Sequence, residues 1–478
     1  MKVLFVAGES VPFIKTGGLA DVVGSLPFEL KKEGVDVRVV LPLYKDIPEK
    51  FKNQMEDVTN FDVYMGWKTV YCGIKTLTHH GIQYYFVDNL EFFGRDGCYG
   101  YWDDGERFAY FSMAAIEMME RVDFIPNIIH VHDWHTAMIP MLLVHKYNWI
   151  DDYKDIRKVL TIHNLRFQGV YNPIVLESLF GLDYTSYVDH GVKYYNSINY
   201  LKGGINYADV ITTVSPSYAD EIQTPEFGET LEGVLRYNAW KIYGILNGID
   251  TKIYNPKTDP FIEDNYGING YEKKMITKEK LQASLGLPVN RDIPLIASVS
   301  RLTDQKGFHL VNEVLNDFLN EDVQVVILGT GDENYEHSFR YFAQEHPDKM
   351  VALIEFDVEK AQKLYAGSDL FLMPSAFEPC GLSQMISLRY GSVPIVHETG
   401  GLKDSVKPFN RFENKGTGFT FSDFRSSVLY DKMIEAIRLF HDERDAFKRL
   451  ARRGMREDFS WNASVVEYIK VYKELLEE

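Results

Sequence analysis

Residues Asp369 to Lys403, DLFLMPSAFEPCGLSQMISLRYGSVPIVHETGGLK, read as strand, loop, helix, strand and glycine-rich loop. The apolar run Leu370 to Met373 stops at Pro374, and helical spacing begins at Leu382 with Met385, Ile386 and Arg389 on successive turns. This order belongs to an open parallel α/β sheet, where strand C-termini and helix N-termini meet on one rim and leave backbone N–H groups for a ligand. Glu378 falls in the strand-to-helix loop on that rim. Gly381 allows close backbone approach, and the first helical turn suits a phosphate. A carboxylate repels a phosphate unless it faces another part of the ligand, so a sugar joined to a phosphate fits. A helix-capping Glu378 and an ordinary turn at Gly400-Gly401 fit this stretch equally well when it is taken alone.

The rest of the chain repeats the pattern. Lys2 to Ala7 is a buried-strand run, GESVPFIKTGG a loop, Leu19 to Glu33 an amphipathic helix and Asp36 to Leu41 a second strand. Pro27 inside that helix predicts a kink or a restart capped by Ser25. Further strands are expected at Ile82 to Val87, Ile128 to His132, Lys158 to His163 and Val210 to Val214. After ILNGIDTKIYNPKTDP (Ile245 to Pro260), which reads as an interdomain connection, a second series follows: Leu295 to Val299, Val323 to Leu328, Val351 to Ile354, Leu370 to Met373 and Val393 to Val396. From about Val428 to Glu478 the chain is helical and charged. A length of 478 residues fits two such domains of about 200 residues or more.

A net charge of -18 opposes nonspecific nucleic-acid binding. Cys72, Cys98 and Cys380 are odd in number and far apart, which argues against a disulfide framework or a thiolate zinc site and for a reducing cytoplasm. No apolar run is long enough for a signal h-region or a membrane span.

Three cations, Lys15, Arg301 and Lys306, sit on strand-end loops. Lys15 precedes Gly17-Gly18, whose N–H groups can form an anion nest; the spacing is neither GxGxxG nor GxxxxGK[ST], which disfavours an NAD fold and a P-loop NTPase. TGGLADV at Thr16 to Val22 is echoed by TGGLKDSV at Thr399 to Val406, placing a Gly-Gly loop at a helix N-terminus in each half. SVSRLTDQKGF supplies Arg301 and Lys306 after a strand, where charge-assisted donors would hold a diphosphate and neutralise charge as it leaves. HVHDWHTAM invites a metal reading, but no helical ligand spacing follows, and no metal site is expected. Asp133, Trp134 and His135 lie past the strand end, so an acid, a stacking ring and an imidazole would face the cleft. His163, at the end of TIH, is a candidate hydrogen-bond partner for a sugar hydroxyl, or a core histidine. No Asp-x-Asp triplet occurs, so cations and helix dipoles, in place of a divalent ion, would serve the diphosphate.

The set KTGGLADV, HVHDWH, TIHNLRFQG, ILNGID, SRLTDQKG and PSAFEPCGLSQ, in this order over nearly the whole chain, resembles the bacterial glycogen synthase and starch synthase family. The resemblance implies a GT-B fold: two Rossmann-like doubly wound parallel-sheet domains around a deep cleft. An N-terminal acceptor domain (1–245), a C-terminal donor domain (246–458) and a final helix (459–478) crossing back to the first domain follow from it. It implies retaining transfer of glucose from ADP-glucose to the non-reducing end of an α-1,4-glucan, such as glycogen or a maltooligosaccharide, with no cofactor, no nucleic acid and no membrane. Matched by motif, Lys15, Gly17, Gly18, Asp21, Arg301 and Lys306 serve the diphosphate region and Asn247, His163, Glu378, Cys380, Gly381 and Leu382 the glucosyl group; Tyr99, Asp133, Trp134 and His135 are candidates for the acceptor side, and Phe356, placed after a strand, is a candidate platform for adenine by stacking.

Glu378, His163, Arg301 and Lys306 are the expected catalytic set. The diphosphate departs against Arg301 and Lys306 while the acceptor hydroxyl attacks the same face, and Glu378 stabilises positive charge at the sugar. Double displacement would need a second nucleophilic carboxylate, and none is obvious. Related transferases often carry a second Glu eight residues after the first, where this chain has Ile386; the departure favours the glycogen synthase branch. The competing readings are a UDP-glucose transferase, a noncatalytic nucleotide-sugar sensor and a metal-dependent hydrolase built on HVHDWH.

Overall fold

The computed structural model describes residues 1–477, which form two compact units: Met1–Ile245 together with the chain from Trp461 onward, and Leu246–Ser460. The chain leaves the first unit at the start of ILNGID and returns to it at Trp461.

Among the described residues, the first unit holds a nine-stranded sheet. Its strands run in the order Ile242–Gly244, Val210–Thr213, Arg157–Ile162, Ile128–His132, Lys2–Val6, Asp36–Pro42, Ile82–Asp88, Thr69–His79 and Glu56–Tyr64. The first seven pair in parallel and the last two join antiparallel. Val3 to Val6 are fully buried, as a central strand covered on both faces requires. The chain starts at Lys2–Val6, builds outward through Asp36–Pro42, then returns to place Ile128–His132 on the other side. The switch point of the sheet therefore lies between Lys2–Val6 and Ile128–His132, with Glu9 and Asp133 on the loops that leave it. A small antiparallel sheet of Val170–Tyr171, Ser197–Asn199 and Lys193–Tyr194 sits in the same unit.

The helix Gly18–Lys32 runs unbroken through Pro27, so the expected restart at Ser25 does not occur. An interior proline removes one helical hydrogen bond at about 3 kcal/mol or more. Burial of Val22, Val23, Leu26 and Leu30, each about 1.5–3 kcal/mol, outweighs that loss. The last helix, Trp461–Glu477, packs on Gly18–Lys32 and inserts Tyr468 and Tyr472 into the first unit.

The second unit is a six-stranded sheet in the order Met350–Leu353, Gln324–Leu328, Leu295–Val299, Leu370–Met373, Val393–His397 and Phe419–Phe421, every pair parallel. Ile296, Val325, Ile327, Leu370 and Leu372 share one core with the helices Phe308–Phe318 and Ser426–Asp442. Here the switch point lies between Leu295–Val299 and Leu370–Met373. The loops that leave it are the Arg301 to Lys306 segment and the Pro374 to Gly381 segment. The region expected to be helical after Val428 forms Ser426–Asp442, Arg444–Gly454 and Trp461–Glu477; its last residue, Glu478, lies outside the described residues.

Candidate functional site

In the second unit the two switch-point loops are stitched together. The Ala376 N–H donates to the Gln305 carbonyl at 2.8 Å. Gly307 has φ +77 and passes so close to the Pro374 carbonyl that a Cβ would collide with it. That turn delivers Lys306, whose Nζ lies 2.6 Å from Glu378 Oε2; the Ser375 hydroxyl donates to the same oxygen at 3.0 Å. The His397 ring Nδ1 is 2.9 Å from the Ser375 carbonyl and steadies that residue. Both charged side chains are nearly enclosed, at 14% and 10% exposure for Lys306 and Glu378, so each neutralises a charge that would be costly to bury alone. Arg301, on the same loop, is exposed.

Gly381 is left-handed (φ +70) and precedes the helix Ser383–Arg389, with Leu382 at its cap position. The Gln384 side chain donates to the Cys380 and Gly381 carbonyls at 3.0 and 3.1 Å, fixing the loop from below. Cys380 is buried, its thiol is pushed up to about 12 by burial, and it meets the Asn247 backbone N–H. The Asn247 side-chain oxygen is buried with no hydrogen-bond partner among the described residues.

The second Gly-Gly pair opens the helix Gly400–Ser405, as TGG opens Gly18–Lys32. Its glycines serve packing: the Gly401 N–H donates to the Glu378 and Pro379 carbonyls at 3.1 and 3.2 Å, and a Cβ on either glycine would strike the Glu378 or Cys380 backbone. That N–H is thus committed to the Glu378 loop and is not open to a phosphate. Phe356 is 90% exposed, beyond the edge strand Met350–Leu353 and two strands from the switch point.

In the first unit, Lys15 Nζ pairs with Asp21 Oδ1 at 2.8 Å in the first turn of Gly18–Lys32. The loop bearing Lys15, Gly17 and Gly18 is held by Glu9, whose carboxylate accepts from the backbone of Thr16 and Gly17. Burial raises both the Glu9 and the Asp21 carboxyl; Lys15 opposes the shift at Asp21. Glu9 went unrecognised in the sequence, where it only ends an apolar run.

Asp133 adopts φ +53, and that left-handed turn folds the short helix Asp133–Thr136 back onto the sheet. Asp133, Trp134 and His135 are consequently each 8% exposed. Trp134 is walled in by Phe108 at 5.3 Å and by Tyr171 and Tyr200, and it presses on Gly169. His135 stacks on Tyr99 at 4.4 Å, and Tyr99 lies against Gly8. The Tyr99 hydroxyl and His135 Nδ1 are buried without hydrogen-bond partners among the described residues. Asp133 Oδ1 accepts the backbone N–H of His163 at 2.7 Å and of Asn164 at 3.4 Å, and burial pushes its carboxyl up to about 7. Tyr99, Asp133, Trp134 and His135, the residues expected on the acceptor side, thus lie close together, and His163, expected at the glucosyl group, is joined to them through Asp133.

The histidines of HVHDWH bind one another and the protein. His130 meets Tyr472 and Thr161, each at 2.6 Å, and His132 meets His163 at 3.0 Å. Among the described residues no cluster of three or more His, Cys, Asp or Glu side chains could hold a metal ion, and no helix is long and apolar enough to cross a membrane.

Residues 2–237 match the family described as the starch synthase catalytic domain, and residues 278–454 that described as glycosyl transferases group 1. The chain is 52% identical to a glycogen synthase of Lactiplantibacillus plantarum over 99% of both chains, and 51% identical to one of Streptococcus gordonii over 100% of both. Among solved structures, the catalytic domain of starch synthase IV from Arabidopsis thaliana, bound to ADP and acarbose, superposes with a TM-score of 0.91 at 33% identity, covering 100% of this chain and 99% of that one. A sucrose-phosphate synthase from Thermosynechococcus elongatus, at 15% identity and a TM-score of 0.62 over 100% and 99% of the two chains, shares the fold.

Proposed function

The chain belongs to the glycogen synthase and starch synthase family, and we propose that it performs the family's reaction. The reaction is transfer of glucose, with retention, from ADP-glucose to the non-reducing end of an α-1,4-glucan.

One observation carries the assignment of roles: the 2.6 Å pair between Lys306 and Glu378 at the switch point of the second sheet. A diphosphate offers Lys306 a stronger anionic partner, and with Arg301 it is held by two cations. Glu378 is then released from its counter-charge while still held by Ser375, and its carboxylate faces the sugar, where positive charge grows as the bond to the diphosphate breaks. The buried, unpartnered Asn247 oxygen accepts from a glucosyl hydroxyl, and Gly381 and Cys380 shape the backbone against the ring. Lys15, fixed by Asp21 beside Gly17 and Gly18, is a phosphate-facing cation in the first unit, and His163 hydrogen-bonds the glucosyl group. The orphaned polar atoms of Tyr99 and His135 suit the hydroxyl-rich acceptor, with Trp134 supporting His135 in place of stacking on a sugar. Phe356, exposed past a strand end, stacks on adenine. The cations make a divalent ion unnecessary. Three unpaired, buried cysteines fit a cytoplasmic enzyme.

Initial rates with ADP-glucose and UDP-glucose on a maltooligosaccharide test this reading. A strong preference for ADP-glucose is expected, and a preference for UDP-glucose would overturn the donor assignment.

A further inference from the structure

His132 ends one strand and His163 follows its parallel neighbour, so the register sets the two rings side by side with His132 Nδ1 3.0 Å from His163 Nε2. Burial keeps both imidazoles neutral, pushing His163 down to about 3 and His132 well below its ordinary value. Each ring then carries a single N–H, and only one proton fits between the facing nitrogens.

Two arrangements satisfy that contact. If His163 donates from Nε2, His132 must carry its own proton on Nε2. That atom is buried and has no hydrogen-bond partner among the described residues, so a buried N–H would be orphaned. If His132 donates from Nδ1, only a lone pair is left on its Nε2. Orphaned buried N–H groups are the rarer defect in folded proteins, which favours the second arrangement. We propose that His132 is a positioning residue that donates its Nδ1–H to His163 Nε2, fixing His163 as the tautomer with its proton on Nδ1. This rests on the reading that His163 meets the glucosyl group; there it offers that group a hydrogen-bond donor and never an acceptor.

The surroundings hold both rings in register. His132 stacks on His130 at 4.4 Å and 25° and touches Phe5, while its backbone N–H is bound by the Thr136 hydroxyl at 2.7 Å. His130 is anchored in turn by Tyr472 of the last helix. Asp133 grips the His163 backbone. The substrate atom that meets His163 Nδ1 must therefore be an acceptor, such as a hydroxyl oxygen.

The test combines histidine-selective nitrogen NMR of the whole protein with kinetics of two variants. His163 in the wild type is expected to show a protonated Nδ1 and an unprotonated Nε2. His132→Leu keeps the bulk but removes the donor, and should release the tautomer and lower kcat about tenfold. His132→Asn places an amide N–H near the Nδ1 position and should restore both. A wild-type His163 protonated on Nε2 overturns the proposal even if neither variant folds. A folded Asn variant no better than Leu in tautomer and rate also overturns it. His163→Ala separates the two ideas: if it keeps full kcat, the sugar-facing role fails while the wild-type spectrum still decides the tautomer.

Discussion

Replacing Glu378 with Gln keeps the shape of the side chain and removes its charge. The amide oxygen still accepts from Ser375 or Lys306, so the loop tied to Ala376, Gly400 and Gly401 stays in place. In the resting protein the change leaves the nearly enclosed Lys306 ammonium on a neutral amide oxygen, an ion pair reduced to an ion–dipole hydrogen bond, a loss of about 1–3 kcal/mol. In the transition state the effect is larger. At an effective dielectric near 20, a full charge about 4 Å from the anomeric carbon is worth about 4 kcal/mol. Lys306 offsets part of this wherever it stays within reach of Glu378, which brings the expected loss to about 2–4 kcal/mol, or roughly 30- to 1000-fold in kcat. The assay is steady-state transfer from ADP-glucose to maltoheptaose, with ADP affinity measured by calorimetry on the same preparation. ADP binding should change by no more than a few-fold, because the carboxylate faces the sugar and not the phosphates. A folded variant that turns over within about threefold of the wild type would refute the electrostatic role, and a collapse of ADP binding would refute the placement.

Three further outcomes follow from particular contacts. Lys278 and Asp369 form a fully buried pair at 2.6 Å in the second unit, so Lys278→Met should cost about 3–5 kcal/mol in urea unfolding and Lys278→Met with Asp369→Asn much less; a single variant within 1 kcal/mol of the wild type contradicts this. Burial raises the Asp133 carboxyl from its unfolded value to about 7, so the folded state binds the extra proton and the stability linked to Asp133 is lost as pH rises from about 4 to 7. Asp133→Asn, which tolerates the left-handed backbone, should flatten that slope in the urea midpoint, and an unchanged slope would reject the assignment. Treatment with EDTA should leave the transfer rate intact, whereas inactivation reversed by magnesium or manganese would reopen the metal question.

The parallel strands were legible because a strand covered on both faces needs an unbroken apolar run: Lys2–Val6, Ile128–His132, Leu295–Val299 and Leu370–Met373 all announce themselves. The antiparallel pair Glu56–Tyr64 and Thr69–His79 was not, since an edge exposed on one side carries Asp, Asn and Thr among its apolar residues and reads as polar chain. Lys306 and Glu378 were each legible as strand-end residues. Their contact was not, because it depends on Leu295–Val299 lying beside Leu370–Met373, an order of strands that no local pattern encodes. The second Gly-Gly pair suggested an anion site by analogy with the first; the close approach of the Glu378 and Cys380 backbones, a long-range fact, explains those glycines instead. The depth of Trp134 was hidden for the same reason, as its walls come from Phe108, Tyr171 and Tyr200.

The most direct test of the central claim is a single carbon NMR experiment: the wild-type protein incubated with ADP-glucose labelled at the anomeric carbon and with unlabelled maltoheptaose. The account predicts that the label enters longer chains and that the new anomeric carbon shows the coupling of an α-1,4 linkage. Label that stays in ADP-glucose, emerges as free glucose, or enters a β linkage would contradict it.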